Sequence, residues 1–242
     1  MNGPTIIIQA RNGSSRFPYK MVNLLGDYPL LEWVIRRVLQ TKMVGSIILA
    51  TSDHHRDSPL EKIADACSIK VFRGNEFDVL GRFKAAADLL GGDPIIRVCA
   101  DNPFIDPSEI DRLVLHYQTH RCDYAFNHMD RLNSRYSDGF GAEVLSIECL
   151  NRMVLHAQES RFREHLTLHI WENPHLYKIS SVMAPSELAF PDLRFDVDTV
   201  EDLKEMQVLV DAGVCLNSTA AEIVKIKRQL KDPQRKYVAK QY

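Results

Sequence analysis

The strongest constraint on the fold of this sequence is an alternation that runs through its first half. Residues 5–10, 46–51, 69–72 and 94–100 are short β-rich apolar runs. Between them, residues 29–40 and 77–90 carry apolar side chains at helical spacing, Leu30, Leu31, Val34, Ile35, Val38 and Leu39 in the first case. Ser58-Pro59-Leu60-Glu61 predicts a helix start with Ser58 as N-cap, and Asp106-Pro107-Ser108-Glu109 predicts another that runs to about His120. Strands joined by crossover helices imply an α/β fold, a mainly parallel sheet with helices on both faces. Ligands of such sheets sit at the carboxyl ends of the strands. Attention therefore falls on the loops after Ala10, Thr51, Phe72 and Ala100.

The second half is more mixed. Residues 122–127, 141–146, 177–183 and 193–197 read as strands, and 147–157, 162–171, 199–210 and 218–230 as helices. The polar, basic tail beyond residue 230 is expected to fray. With no repeat or linker, residues 1–242 read as one domain: a first half over 5–120, a small inserted lobe over 121–192, and a return strand with C-terminal helices over 193–230.

Net charge narrows the partners. Thirty Lys and Arg stand against 32 Asp and Glu, a net of −2, which argues against a nucleic-acid coat or a polybasic membrane binder. No stretch approaches the roughly 20 apolar residues of a membrane helix. Five scattered cysteines without a C-x-x-C pair fit reduced thiols, and the N-terminal apolar run is too short for a signal peptide, so a cytoplasmic location is expected. An anionic ligand would need locally concentrated positive charge.

Such a concentration follows the first apolar run. Residues 11–20, Arg-Asn-Gly-Ser-Ser-Arg-Phe-Pro-Tyr-Lys, hold Arg11, Arg16 and Lys20. Gly13 permits a tight backbone path, and Ser14 and Ser15 add donors. Backbone amides with Arg and Lys cradle polyphosphates; the other reading is a solvated basic loop. After the fourth run, Asp101 is a candidate Mg²⁺ ligand or a turn former, and Asp106 a helix cap. In Arg194-Phe195-Asp196-Val197-Asp198, strand alternation puts Asp196 and Asp198 on one face, in reach of the same metal, with Thr199 and Asp202 free to cap the next helix.

In order, the segments IIIQARNGSSRFPYK, PLLEWVIRRV, ATSD, VFRGNEFDVLGRF, RVCADNPFIDPSEID, YSDGFGAEVLS, REHLT and FDVDTVEDL resemble the cytidylyltransferases of the spore coat polysaccharide biosynthesis protein F type, relatives of CMP-acylneuraminate and CMP-ketodeoxyoctulosonate synthetases. The resemblance covers residues 5 to about 205. It implies a Rossmann-like nucleotidyltransferase fold and transfer of CMP from CTP to an acidic sugar or sugar phosphate, with Mg²⁺ as cofactor, a homodimer, and a role in surface polysaccharide synthesis. Arg16, Lys20 and Asp101 are the implied catalytic positions, and Asp101 and Asp198 the metal ligands. Ala10, Arg11, Asn12, Gly13, Ser14, Ser15, Ser52, Asp53, Arg73, Asp78 and Arg82 are the implied nucleotide-binding positions. Glu143, Arg163 and His165 are the implied acceptor-binding positions, in the 121–192 lobe. Ser137 and Val200 stand where the family often has Pro.

Other readings compete. Asp196-Val197-Asp198 permits a glycosyltransferase that uses a sugar nucleotide, although the basic loop suits a triphosphate better. A non-catalytic nucleotide-binding module would be expected to have lost the phosphate loop or Asp101, and both are present. Glu164, His165 and His169 form E-H-x-x-x-H on an expected helix. The two histidines share a face that could bind zinc, but no third ligand is spaced nearby; the other readings are His165 facing the acceptor pocket or a partly buried histidine. His116 and His120 repeat the spacing and are expected at the surface.

Overall fold

The computed structural model describes residues 3–231; the tail expected to fray lies outside them. Strand β1 (Thr5–Gln9) is buried along nearly its whole length. A basic loop leads from it to a two-stranded hairpin, β2 (Leu24–Leu25) and β3 (Tyr28–Pro29). Helix α1 (Leu30–Val38) buries Leu30, Leu31, Trp33, Val34, Ile35 and Val38, whereas Leu39, expected in the same stripe, lies past the last helical residue and is exposed. Then come β4 (Ser46–Ser52), α2 (Ser58–Ala66), β5 (Lys70–Gly74), α3 (Val79–Leu90), β6 (Ile95–Cys99) and α4 (Pro107–Thr119).

Strands β7 (Tyr124–Phe126), β8 (Glu143–Leu145) and β9 (Ile179–Ser181) add the remaining members of a seven-stranded sheet, ordered β5-β4-β1-β6-β8-β7-β9. The pairs β5–β4, β4–β1 and β1–β6 are parallel; β8 is antiparallel to both its neighbours, and β9 parallel to β7. The segment expected as a lobe thus extends the same sheet. Helices α5 (Ile147–His156), α6 (Ser160–Glu164), α7 (Leu168–Glu172), α8 (Val200–Asp211) and α9 (Ala220–Lys231) complete the layers. One apolar cluster packs α1, α4, α8 and α9 on one sheet face, and a second packs α3, α5 and α7 on the other. Successive strands build outward from β1 through β4 to β5, then return to β6 on its other side. The carboxyl ends of β1 and β6 flank that reversal, where α/β sheets leave a crevice.

Three local expectations are corrected. Asp57, not Ser58, occupies the N-cap position of α2, and its carboxylate is committed elsewhere, accepting from the Asn12 amide at 2.7 Å and from the Ser52 hydroxyl. Residues 193–197 do not form a strand of the sheet: Phe195 N donates to Asp138 O and Val197 N to Asp101 O, so the extended segment divides its bonds between two loops. The helix expected over 162–171 breaks into α6 and α7 at residues 165–167. The break leaves Phe162, Leu166 and Ile170 in one core cluster while releasing His165 toward the sheet's carboxyl edge.

Candidate active site

Two adjoining cavities, a first of about 560 and a second of about 520 Å³, open at the carboxyl ends of β1 and β6. They share Gln9, Arg11, Arg97, Cys99, Asp101, Glu164 and His165. Each falls in the size range of small-ligand sites.

The first cavity is walled by the loop after β1, with Ala10, Arg11, Gly13, Ser14, Ser15, Arg16 and Lys20 all lining it. The loop's path is fixed by the chain around it. Tyr19 N donates to Asn12 O at 3.1 Å, closing it on itself, and Asn12 Nδ2 donates to Arg56 O at 2.9 Å. A Cβ on Gly13 would lie 2.6 Å from the ion-paired tips of Arg56 and Glu76, which would have to shift to admit it. Lys20 is buried, 6% exposed. Its ammonium donates to Val197 O at 2.7 Å and lies 3.3 Å from Asp198 and 3.5 Å from Asp101. Arg16, largely exposed, pairs with the other Asp198 oxygen at 2.9 Å. The sequence-predicted cations and carboxylates meet here.

The second cavity is acidic at this end. Asp101, Asp138, Asp196 and Asp198 line it together. Burial pushes the Asp101 carboxyl up despite Lys20, and Asp198 and Asp196 add to the rise. Burial, with Asp196 next, pushes Asp138 up to about 7. Asp196 pairs with Arg194, 2.5 Å apart, whereas Asp198 turns to Lys20 and Arg16. This crowding tests the fit of Mg²⁺. Two carboxylates converge on one buried ammonium, negative charge is in surplus, and the donors are hard oxygens, the set a Mg²⁺ ion shares with substrate phosphates. The residues fit the ion. Among the described residues no three His, Cys, Asp or Glu side chains form a self-sufficient metal cluster. The zinc reading is corrected by the break at 165–167: His169 is buried against Tyr177, its ring nitrogen 2.8 Å from the hydroxyl, while His165 faces the cavities.

Other expected residues lie behind the walls. Asn12, Ser52, Asp53, Arg73, Asp78, Arg82 and Arg163 line neither cavity. Arg73 donates to Ser52 O at 3.1 Å and His54 O at 2.9 Å and pairs with Glu61 at 3.0 Å, pinning the loop after β4. Arg82 donates to the carbonyls of Asn75 and Glu76 beneath the first cavity, and burial lowers its pKa to about 10. Arg163 pairs with Asp78, whose other oxygen caps α3 by accepting from Gly81 N at 2.8 Å. Glu143 does line the second cavity but is 3% exposed, its oxygens taken by Arg97 and the Tyr124 hydroxyl. Burial pushes its carboxyl up, but Arg97, His128 and Tyr124 together hold it down at about 2.

Sequence reasoning missed Asp57, Arg56, Glu76, Arg97, His128 and Arg131 as builders of the site, whereas Asp138 was expected, with Gly139, to form a turn over the acceptor site. Arg97 carried a signal, a charge inside an otherwise apolar strand. The others sit in loops where charge is unremarkable.

Fold and site define a class: an α/β nucleotidyltransferase with a basic loop at the sheet's reversal and carboxylates at the next strand end. Comparison makes it specific. The cytidylyltransferase family model matches residues 5–239, and the chain belongs to that family. It is 34% identical over 230 residues to the spore coat polysaccharide biosynthesis protein SpsF of Bacillus subtilis, covering 93% of each chain. A 3-deoxy-manno-octulosonate cytidylyltransferase of Pelobacter propionicus is 29% identical over 110 residues, 46% of this chain and 42% of that one. Among solved structures, a cytidylyltransferase from Leptospira borgpetersenii superposes with a TM-score of 0.87 at 23% identity, over 99% of this chain and 98% of the other.

Proposed function

We propose that this cytidylyltransferase moves CMP from CTP onto an acidic sugar of the ulosonic or nonulosonic type, or onto a sugar phosphate, for a surface polysaccharide. The observation that carries the reading is Lys20, buried between Asp101 and Asp198 where a phosphate-loop cavity meets an acidic one. The names of the relatives support the acceptor class, a spore coat polysaccharide protein and a cytidylyltransferase for a ketodeoxy sugar acid.

In this reading Arg11, the loop amides of residues 13–15, Arg16 and Lys20 hold the triphosphate. An acceptor oxygen attacks the α-phosphorus, a new P–O bond forms, and the bond to the β-phosphate oxygen breaks in line with it. Pyrophosphate leaves with its added charge against Lys20 and Arg16, donors fixed before the reaction begins. Asp101 and Asp198 would hold Mg²⁺, which supplies charge neutralisation on the phosphates. A hydroxyl acceptor loses a proton, and Asp138, with a pKa of about 7, lies in the cavity where that proton is released.

Residues 5–120 serve the nucleotide in this proposal, 121–192 the acceptor and a homodimer contact, and 193–230 close the site. No helix among the described residues is long and apolar enough to cross a membrane; the proposed setting is the cytoplasm. The test is pyrophosphate release from each of the four nucleoside triphosphates with a panel of acidic sugars and sugar phosphates. Release with CTP and an anionic acceptor is expected. Tight binding of CTP with Mg²⁺ but no release with any acceptor overturns the proposal.

A further inference from the structure

The cations of the second cavity are nearly all spent within the protein. Arg11 pairs with Glu164 at 3.2 Å, Arg97 with Glu143, and Arg194 with Asp196. Arg131 lines the same cavity and differs. Among the described residues its guanidinium makes neither an ion pair nor a hydrogen bond; it stacks on Trp171, 4.3 Å from the ring centroid. Trp171 is itself fixed edge-on to Phe126 at 5.3 Å and to Tyr124 at 5.8 Å, both from β7. A stack of this kind orients the guanidinium plane while leaving its in-plane donors free.

The backbone beneath it is also held. Arg131 N donates to Met129 O, Ser134 N to Arg131 O, and Arg135 N to the Asp130 carboxylate at 2.7 Å. Leu132 and Asn133 pay for this tight loop with left-handed φ values of 53° and 60°. On the same loop, His128 lines the cavity with a buried Nδ1 that has no hydrogen-bond partner. The loop thus carries one exposed guanidinium with no hydrogen-bond or ion-pair partner among the described residues and, three residues before it, a buried ring nitrogen without one.

The geometry points to Arg131, with His128 beside it, as the subsite that binds the anionic group of the acceptor. It rests on the reading of this cavity as the acceptor site. A planar carboxylate matches the guanidinium fork with two parallel hydrogen bonds, and a phosphate oxygen pair matches it equally. The acceptor's charge then lies at the Trp171 wall of the cavity. A neutral sugar leaves the guanidinium unanswered, so the site selects for anions.

The test compares wild type, Arg131→Met and Arg131→Lys in pyrophosphate release with CTP and Mg²⁺. One arm uses ulosonic acids, 3-deoxy-manno-octulosonate and N-acetylneuraminate; the other uses sugar 1-phosphates; matched neutral sugars are controls. Arg131→Met is expected to raise the KM of the anionic acceptor at least about tenfold, with the KM of CTP unchanged and partial recovery in Arg131→Lys. The arm that shows the rise identifies carboxylate or phosphate. An unchanged acceptor KM in Arg131→Met, with wild type active on an anionic acceptor, overturns the assignment and leaves the proposed function standing. Equal use of neutral sugars by wild type also overturns it. No release with any anionic acceptor overturns both.

Discussion

The Lys20 ammonium lies 3.3 Å from the Asp198 carboxylate, joining the loop after β1 to a segment 178 residues further along the chain. The same nitrogen is 3.5 Å from Asp101. One buried cation therefore closes the site and compensates its carboxylates.

Substitutions at its two ends should part activity from stability. Lys20→Met removes the compensating charge and is expected to cost roughly 3 kcal/mol of stability, the scale for breaking a buried pair, along with at least about a hundredfold in turnover. Asp101→Asn should lose turnover to a similar extent yet unfold no earlier than wild type, because burial and neighbouring aspartates already push that carboxyl up. Urea unfolding beside pyrophosphate release checks both. A Lys20→Met protein as stable as wild type would show that the aspartates do not need it.

Arg163 should behave as a structural residue. Its partner Asp78 caps α3, and neither lines a cavity. Asp78→Ala is expected to cost about 1 kcal/mol, and Arg163→Ala less than about 1 kcal/mol, since the pair is partly exposed. Both should leave the acceptor KM within about twofold of wild type, the scale of a contact that touches no substrate. A large rise in acceptor KM for Arg163→Ala, with stability unchanged, would return it to the acceptor site.

These cases show where the sequence was legible. The strands and helices of the first half were readable because periodicity and capping residues act locally; Asp106 does cap α4, and in the second half Thr199 caps α8. Lys20, Asp101 and Asp198 were nameable because strand ends are where α/β sheets bind ligands. The pairing of Arg163 with Asp78 was not legible because motif order reveals a neighbourhood and not the direction of a side chain. The Trp171–Arg131 stack joins a helix to a distant loop, and no spacing encodes it. The break at His165 escaped notice because Phe162, Leu166 and Ile170 keep helical spacing across it.

Gly141 should be the least replaceable glycine near the site. A Cβ there would strike the backbone carbonyl of Asn127, whose side chain accepts from Ala142 N at 2.9 Å and donates to Glu109 O at 2.8 Å. Backbone cannot swing aside, so Gly141→Ala is expected to cost at least about 2 kcal/mol. At Gly13 the obstacles are the tips of Arg56 and Glu76, which can move. Gly13→Ala should cost less in stability and act mainly on the KM of CTP. Thermal unfolding and CTP titration separate the two; equal melting temperatures would contradict the close packing at Asn127.

Asp138 and Glu143 titrate in opposite senses, and this fixes a pH dependence. Asp138 is raised from 3.8 to about 7, foremost by burial and then by Asp196. Between those values it holds a proton when folded and loses it when unfolded. Its contribution to stability is therefore full below about pH 4 and is lost as pH rises to 7. Glu143 is lowered from 4.5 to about 2, so its contribution is full above pH 4.5 and is lost only as pH falls toward 2. Between pH 5 and 7.5, Asp138 is the one of the two that titrates. In metal-free protein, the stability of wild type relative to Asp138→Asn should fall by about 2 kcal/mol across that interval. Urea unfolding of both proteins at pH 5 and pH 7.5, with a chelator present, measures the difference. A gap that stays constant with pH would place the Asp138 pKa in the ordinary carboxylate range and remove its claim on the acceptor's proton.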